Sequence, residues 1–430
     1  MIKKFLKNKV VKNAGWIIFG KIAQAVIGML IGLLAARYLG PSNYGLINYA
    51  VAYLSFFNSI CTLGTTSLLV KEFVDHPENE GQIIGTTLTM RILSSTLSAL
   101  VITLISFVVD RNEPVTIAVV ALSSIGVIFH VFETFVYWFQ YKLASKVTSI
   151  ISVVAYVIVA LYRVVLLVMQ KNVMFFAFAT TLDYICVAIL LVIAYRKYKG
   201  RRLSFSWTYG KSLLSKSYHF ILSGLMVAVY AQTDKIMLKH MVGSVATGYY
   251  ATAVYISNLW CFILSAIITS MYPVIMQANQ VSESEFKKKN KMLYAIVFYL
   301  SVIVSVFFTV FAPLIIDIMY GNAYSSAVGP LRIVTWYTAF SYLGVARDAW
   351  VVCKNKQKYL KWIYVVSAVV NILLNLILIP ILGATGAAIA SLIAQIFTVI
   401  VAPMLIKGMR ENTKLMLEAI LLKGLLHKKH

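Results

Sequence analysis

The chain has 430 residues, is 60% hydrophobic and only 13% charged, and combines a mean hydropathy of +0.82 with a formal net charge of +24. A soluble domain covers its core with a largely polar and charged outer layer, and this composition excludes that. The positive charge does not point to nucleic acid, because the basic residues form short clusters between long apolar runs and no zinc or nucleic-acid motif accompanies them.

In chain order, apolar runs near 14–36, 44–70, 83–109, 115–139, 147–169 and 173–195 predict six membrane-spanning helices. Runs near 213–238, 247–275, 292–319, 329–352, 358–381 and 384–406 predict six more. Each approaches or exceeds the roughly 20 residues that cross a hydrocarbon core of about 30 Å. The first run is too long for a cleaved signal peptide, and the chain re-enters the membrane after only Gly40 to Tyr44. With the N-terminus placed in the cytoplasm, the segments on that side hold 29 Lys and Arg, starting with Lys3, Lys4, Lys7, Lys9 and Lys12. The opposite side holds Arg37, Arg111, Lys171 and Lys239. That asymmetry places both termini in the cytoplasm. The stretch from Leu415 to Leu426 is too short to span and reads as an interfacial helix on the inner surface.

The two halves are alike. Leu39-Gly40-Pro41-Ser42-Asn43-Tyr44-Gly45 ends the first run, and Val242-Gly243-Ser244-Val245-Ala246-Thr247-Gly248 ends the seventh, with the glycine pairs offset by the same 203 positions. Ala50 and Ala253 keep that offset. The expected fold class is all-α integral membrane, with about 12 transmembrane helices in two six-helix lobes around a central cavity. The lobes are expected at 1–205 and 206–406, followed by a basic cytoplasmic tail at 407–430.

Ala36-Arg37-Tyr38-Leu39-Gly40-Pro41-Ser42-Asn43-Tyr44-Gly45 resembles the signature at the first outer turn of polysaccharide-transport proteins. Four further stretches are similar to that family in the same order. They are 135–140, 232–238 with 248–251, 313–316 with 320–324, and Asn371 to Asn375 through Pro380 to Ala388. The family includes the O-antigen and capsule repeat-unit flippases of the multidrug/oligosaccharidyl-lipid/polysaccharide exporter superfamily. The resemblance implies a two-lobed helical fold in a bacterial cytoplasmic membrane. It also implies a role in flipping undecaprenyl-pyrophosphate-linked oligosaccharide, with glycan polymerase and ligase as potential partners and no catalytic residues.

An anionic, hydrated head group crossing hydrocarbon calls for cations inside the spans. Lys21, Arg91, Arg163, Arg332 and Arg347 fall there and are the candidate substrate-binding residues. Arg37, Glu133, Lys235 and Asp317 sit nearer an interface and read as snorkelling or paired side chains. Asp183 lies near the middle of the sixth run at a depth similar to Arg163. Two readings stand, a buried ion pair or a site for H⁺ or Na⁺. Asp234 shares a polar stripe with His219, Ser223 and Tyr230 on the seventh run and is the second coupling candidate.

The outward segments are short and carry no carboxylate pair or His/Ser/Asp set, and no P-loop is present, so an enzyme is not expected. Cys61, Cys186, Cys261 and Cys353 lack metal-ligand spacing, and neither a metal nor a cofactor is expected. The rival readings are a cation-coupled multidrug antiporter of the same superfamily, a peptidoglycan-precursor flippase, whose relatives usually carry two additional spans, and a membrane scaffold for glycan assembly. The excess of internal cations over deep acids favours an anionic cargo.

Overall fold

The computed structural model describes residues 9–423. The basic residues Lys3, Lys4 and Lys7, the tail beyond Lys423 and the side chain of Lys21 lie outside the described residues. Among the described residues the regular structure is helical, with no strand. The chain divides into two compact units, Met1–Ala228 and Val229–His430. The first contains α1 (Lys9–Cys61), α2 (Thr66–Asp75), α3 (Glu80–Val109), α4 (Pro114–His130), α5 (Thr134–Tyr141), α6 (Ser145–Val168), α7 (Val173–Lys197) and the first part of α8 (Trp207–Met241). The second contains the rest of α8, then α9 (Ser244–Asn258), α10 (Cys261–Val281), α11 (Glu283–Tyr320), α12 (Val328–Cys353), α13 (Gln357–Ile396), α14 (Ala402–Leu405) and α15 (Arg410–Ile420).

Eight helical stretches among the described residues are long and apolar enough to cross a bilayer. Their surfaces reverse the pattern of a soluble helix. On α3, Leu93, Leu97, Leu100, Leu104 and Phe107 form one exposed stripe, while Arg91, Ser95, Ser98 and Ser106 are buried. On α11, Ile303, Phe307, Val310 and Leu314 are exposed, while Asn290, Ser301 and Ser305 are buried. Apolar residues outward with small and polar residues at the helix contacts is the arrangement that lipid favours. The protein is a multi-pass membrane protein.

At about 1.5 Å per residue, the 53 residues of α1 and the 40 of α13 each exceed one hydrocarbon thickness of about 30 Å. Both turn at a glycine, Gly40 (φ 70°, ψ 172°) in α1 and Gly383 (φ 55°, ψ −131°) in α13. Gly243, offset by 203 from Gly40, adopts nearly the same backbone (φ 117°, ψ 176°) and starts α9. The glycine repeat in the sequence is therefore a repeated turn. Pro41 opens the second limb of α1, where its missing N–H costs nothing.

Three runs expected as continuous spans are interrupted. The run 44–70 breaks at Thr62–Thr65, where Leu63 (φ 52°) and Gly64 (φ 60°) are left-handed. The run 115–139 passes through a 3₁₀ turn at Val131–Glu133, and 247–275 turns at Leu259–Trp260. Hydropathy reports apolarity, not helical continuity. Backbone carbonyls at a break inside hydrocarbon must find partners within the protein; the turn's own amides meet two of them, Leu63 N to Ile60 (3.0 Å) and Thr65 N to Thr62 (3.1 Å), and α3 adds further donors. Ser94 Oγ donates to the Ile60 carbonyl (2.7 Å), Ser95 Oγ to Cys61 (3.4 Å) and Arg91 Nε to Thr62 (3.1 Å).

Part of the basic linker lies along the first unit. The Ser204 and Ser206 amides donate to the Gly81 carbonyl (3.2 Å) and Thr86 Oγ1 (3.0 Å), and a Cβ at Gly81 would collide with the Arg202 carbonyl. Buried Glu72 accepts from Tyr209 Oη (3.1 Å) and Lys216 Nζ (2.7 Å). Helix α15 buries Asn412, Leu415, Met416 and Ala419 and packs on α11, so this face is taken by protein, not a lipid surface. Asn412 Nδ2 donates to Tyr294 Oη (2.5 Å), Tyr299 Oη to the Ile420 carbonyl (2.7 Å), and Lys287 pairs with Glu411 (2.8 Å).

Gly40 and Gly243 sit in a backbone region essentially reserved for glycine. Gly40→Ala and Gly243→Ala should therefore each cost about 1–3 kcal/mol. Thermal unfolding of the detergent-purified protein checks this, and unchanged melting temperatures would refute it.

Candidate functional site

Four helices of the second unit, α8, α9, α12 and α13, enclose a cavity of about 390 Å³. Its chemistry centres on Asp234, which is only 4% exposed. The carboxylate accepts hydrogen bonds from Tyr250 Oη (2.6 Å), Ser391 Oγ (2.5 Å) and Asn375 Nδ2 (2.6 Å). Asn375 Nδ2 also donates to Asn371 Oδ1 (3.1 Å), while Asn375 Oδ1 has no partner. Neutral donors satisfy the Asp234 oxygens without cancelling their charge. Lys235 lines the same cavity and has no ion-pair partner within 4.0 Å among the described residues. Tyr230, Tyr337 and Tyr342 complete an aromatic wall, with Tyr230 Oη donating to Gln395 Oε1. A buried carboxylate met by two hydroxyls, with the Asn371 and Asn375 amides beside it, suits a proton or a small cation. A lysine beside tyrosines suits an anionic, hydroxyl-rich ligand.

The first unit has a counterpart of about 360 Å³, lined by Ser55 and Asn58 of α1, His130 of α4, and Thr180 and Tyr184 of α7. His130 Nε2 lies 3.1 Å from Glu133 Oε2, and the His130 and Tyr184 rings meet edge to face at 4.8 Å. The correspondence extends to positions. Val51 and Ser55 line this cavity, and Val254 and Asn258, each 203 residues later, line the other.

Of the predicted site residues, Asp234 lies in the second-unit cavity. The others are not gathered there. Arg91 is 1% exposed and committed to the helix break, with Nη1 donating to Thr134 Oγ1 (3.0 Å) and Nη2 to Thr65 Oγ1 (2.7 Å), besides the Nε bond to Thr62. A cation at the carbonyl end of a helix also complements its dipole. Arg347 is fully buried and donates through Nη1 to the carbonyl of Thr398 (3.3 Å), which lies in a π-helical stretch, Phe397–Val401. Its Nε and Nη2 have no partner. Arg332 is exposed on α12, with Nε bonded to the Thr309 carbonyl (3.1 Å). Arg163 and Asp183 are half-buried on α6 and α7, and no ion pair joins them within 4.0 Å among the described residues. The Lys21 side chain lies outside the described residues.

Sequence reasoning placed Lys235 near an interface and passed over His130. The stripe through Tyr230 and Asp234 was the available signal for the second-unit cavity. Lys235 falls outside that stripe, and it lines the cavity because the cavity extends around the helix. Nothing local distinguishes His130, since Glu133 and Tyr184 give it its setting.

The fold is shared with solved transporters of the MOP superfamily. An inward-facing multidrug-resistance MATE transporter superposes with a TM-score of 0.68 at 15% identity, over 92% of this chain and 96% of that one. The lipid II flippase MurJ in an inward closed conformation gives 0.68 at 13% identity, over 96% and 94%. A superfamily transporter from Pyrococcus furiosus, described as having reverse polarity of its binding pocket, gives 0.55 at 14% identity, over 95% and 94%. No functionally curated protein matches the sequence. The family described as "Polysaccharide biosynthesis protein" matches residues 10–279, and the chain belongs to that family.

Removing the Asp234 carboxylate strands three buried donors. Asp234→Ala should destabilise the protein by about 1–3 kcal/mol for each group left unsatisfied, and Asp234→Asn, which keeps an acceptor oxygen, by less. Equal melting temperatures for the two variants would contradict the hydrogen-bond assignment.

Proposed function

We propose that the protein is a flippase that carries undecaprenyl-pyrophosphate-linked oligosaccharide repeat units, of an O-antigen, capsule or similar glycan, across a bacterial cytoplasmic membrane. It does no covalent chemistry, works by alternating access and keeps both termini in the cytoplasm. The observation that carries this reading is the second-unit cavity, where Lys235, Asp234 and several tyrosines meet among membrane-spanning helices. Charged and polar groups are costly there, at about 2.5–3.5 kcal/mol per charge at a helix centre, and their retention indicates use. Membership in a polysaccharide biosynthesis family favours a glycan cargo, and Lys235 favours the anionic pyrophosphate that carries it. The polyprenyl tail stays in lipid, so the protein has only the head group to shelter.

The Asp234 site binds the coupling ion, H⁺ or Na⁺, with the Ser391 and Tyr250 hydroxyls against the carboxylate and the Asn371 and Asn375 amides beside it. Half-buried Arg163 and exposed Arg332 are further contacts for the phosphates. Support for alternating access comes from structures that share the fold, MATE family transporters described in an inward-facing and in an outward-facing conformation.

Deleting the gene should abolish the surface glycan and leave undecaprenyl-linked repeat units accumulating in lipid extracts. Asp234→Asn and Lys235→Gln should restore roughly tenfold less glycan than the native chain, about 1.4 kcal/mol in rate terms, at equal membrane abundance. Arg332→Gln should fall between. Unchanged glycan with a rise in drug sensitivity alone would replace this reading with that of a multidrug antiporter.

A further inference from the structure

We infer that the cavity of the first unit is a carbohydrate subsite that takes one neutral sugar ring of the cargo; the inference rests on the flippase reading above. The argument begins with unused hydrogen bonds. The Asn58 amide, the Thr180 hydroxyl and the Tyr184 hydroxyl all line the cavity and bond to no protein group among the described residues. In the second unit, by contrast, Asp234, Tyr250 and Asn371 are tied to one another. Polar side chains kept free in a membrane-embedded cavity are costly unless water or a ligand meets them.

The lining residues themselves favour a neutral ligand. His130 lies 3.1 Å from Glu133, and the lining residues with uncommitted hydrogen-bonding groups, Asn58, Thr180 and Tyr184, are neutral donors and acceptors. Those are the partners that sugar hydroxyls require. The duplication makes the contrast sharper. The positions 203 residues before Asp234 and Lys235 are Ile31 and Gly32, so the charged pair of one repeat is an apolar pair in the other. Related helices thus line one cavity with a carboxylate and an ammonium and the other with amide and hydroxyl groups. At about 360 Å³ the latter holds a volume on the order of ten water molecules at about 30 Å³ each, comparable to one hexose ring.

Photocrosslinking tests the assignment directly. p-Benzoylphenylalanine replaces Asn58 or Thr180 in the first unit, Tyr342 in the second, or lipid-facing Leu97, in the full chain in cells fed a radiolabelled sugar that enters the surface glycan. After irradiation, labelled adducts should form at positions 58 and 180 and not at 97. Adducts at 342 with none at 58 or 180 would overturn this inference and leave the flippase reading standing. No adduct at any cavity position would overturn both. As a second measure, Ser55→Phe should fill the cavity and lower surface glycan roughly tenfold at normal membrane abundance, while Leu97→Phe on the exposed apolar stripe of α3 should not. Full glycan with Ser55→Phe would equally defeat the proposal.

Discussion

A single hydrogen bond, from Arg91 Nε to the carbonyl of Thr62, expresses the constraint on which the first unit depends. Hydrocarbon offers no water to a helix that stops, so every freed carbonyl must be met from inside. The chain nevertheless breaks its second run at Thr62–Thr65. The turn's own amides reach the Ile60 and Thr62 carbonyls, and Arg91, Ser94 and Ser95 add donors from one face of α3. The second unit applies the same solution with different parts. There Arg347 reaches the Thr398 carbonyl, inside a π-helical stretch where the normal ladder is disturbed. Two arginines that a soluble protein would place at its surface are thus internal fittings of the backbone.

That explains how far the sequence could be read. Apolar runs and the distribution of lysine and arginine revealed a membrane protein, and the glycine offset revealed a repeated turn, because these are local or periodic signals. Asp234 was legible for the same reason, since an acid on a polar helical stripe is visible in one dimension. The breaks at 62–65, 131–133 and 259–260 were not, because threonine, leucine and valine continue an apolar run whether or not the helix continues. The partners of Arg91 were hidden too. Thr65 and Thr134 come from segments 26 and 43 residues away. Lys235 looked peripheral in sequence only because the cavity that receives it is built by α9, α12 and α13. The partners of the C-terminal helix were hidden in the same way, because Tyr294 and Tyr299 belong to α11.

The duplication gives the two units a common frame and different contents. In each, the segment after the glycine turn carries the equivalent cavity positions, Val51 and Ser55 in one and Val254 and Asn258 in the other. The chemistry on that frame has diverged. One copy lines its cavity with a carboxylate and an ammonium, and the other with a histidine 3.1 Å from a glutamate and with amide and hydroxyl groups.

This divergence has an energetic logic for a cargo with an anionic linkage and a neutral glycan. A fixed charge strengthens the hold on a pyrophosphate, yet it is a liability against sugar hydroxyls, which would have to displace the water that solvates it. Neutral amides and hydroxyls exchange water for sugar at almost no net cost, because one hydrogen bond replaces another. Placing both functions in one cavity would compromise each, whereas on the proposed function duplication would let Asp234 and Lys235 serve charge while Asn58, Thr180 and Tyr184 serve shape. Release follows from the same balance. Sites built from near-neutral exchanges bind weakly, and a carrier that must let its cargo go on the far side gains from interactions that cost little to break.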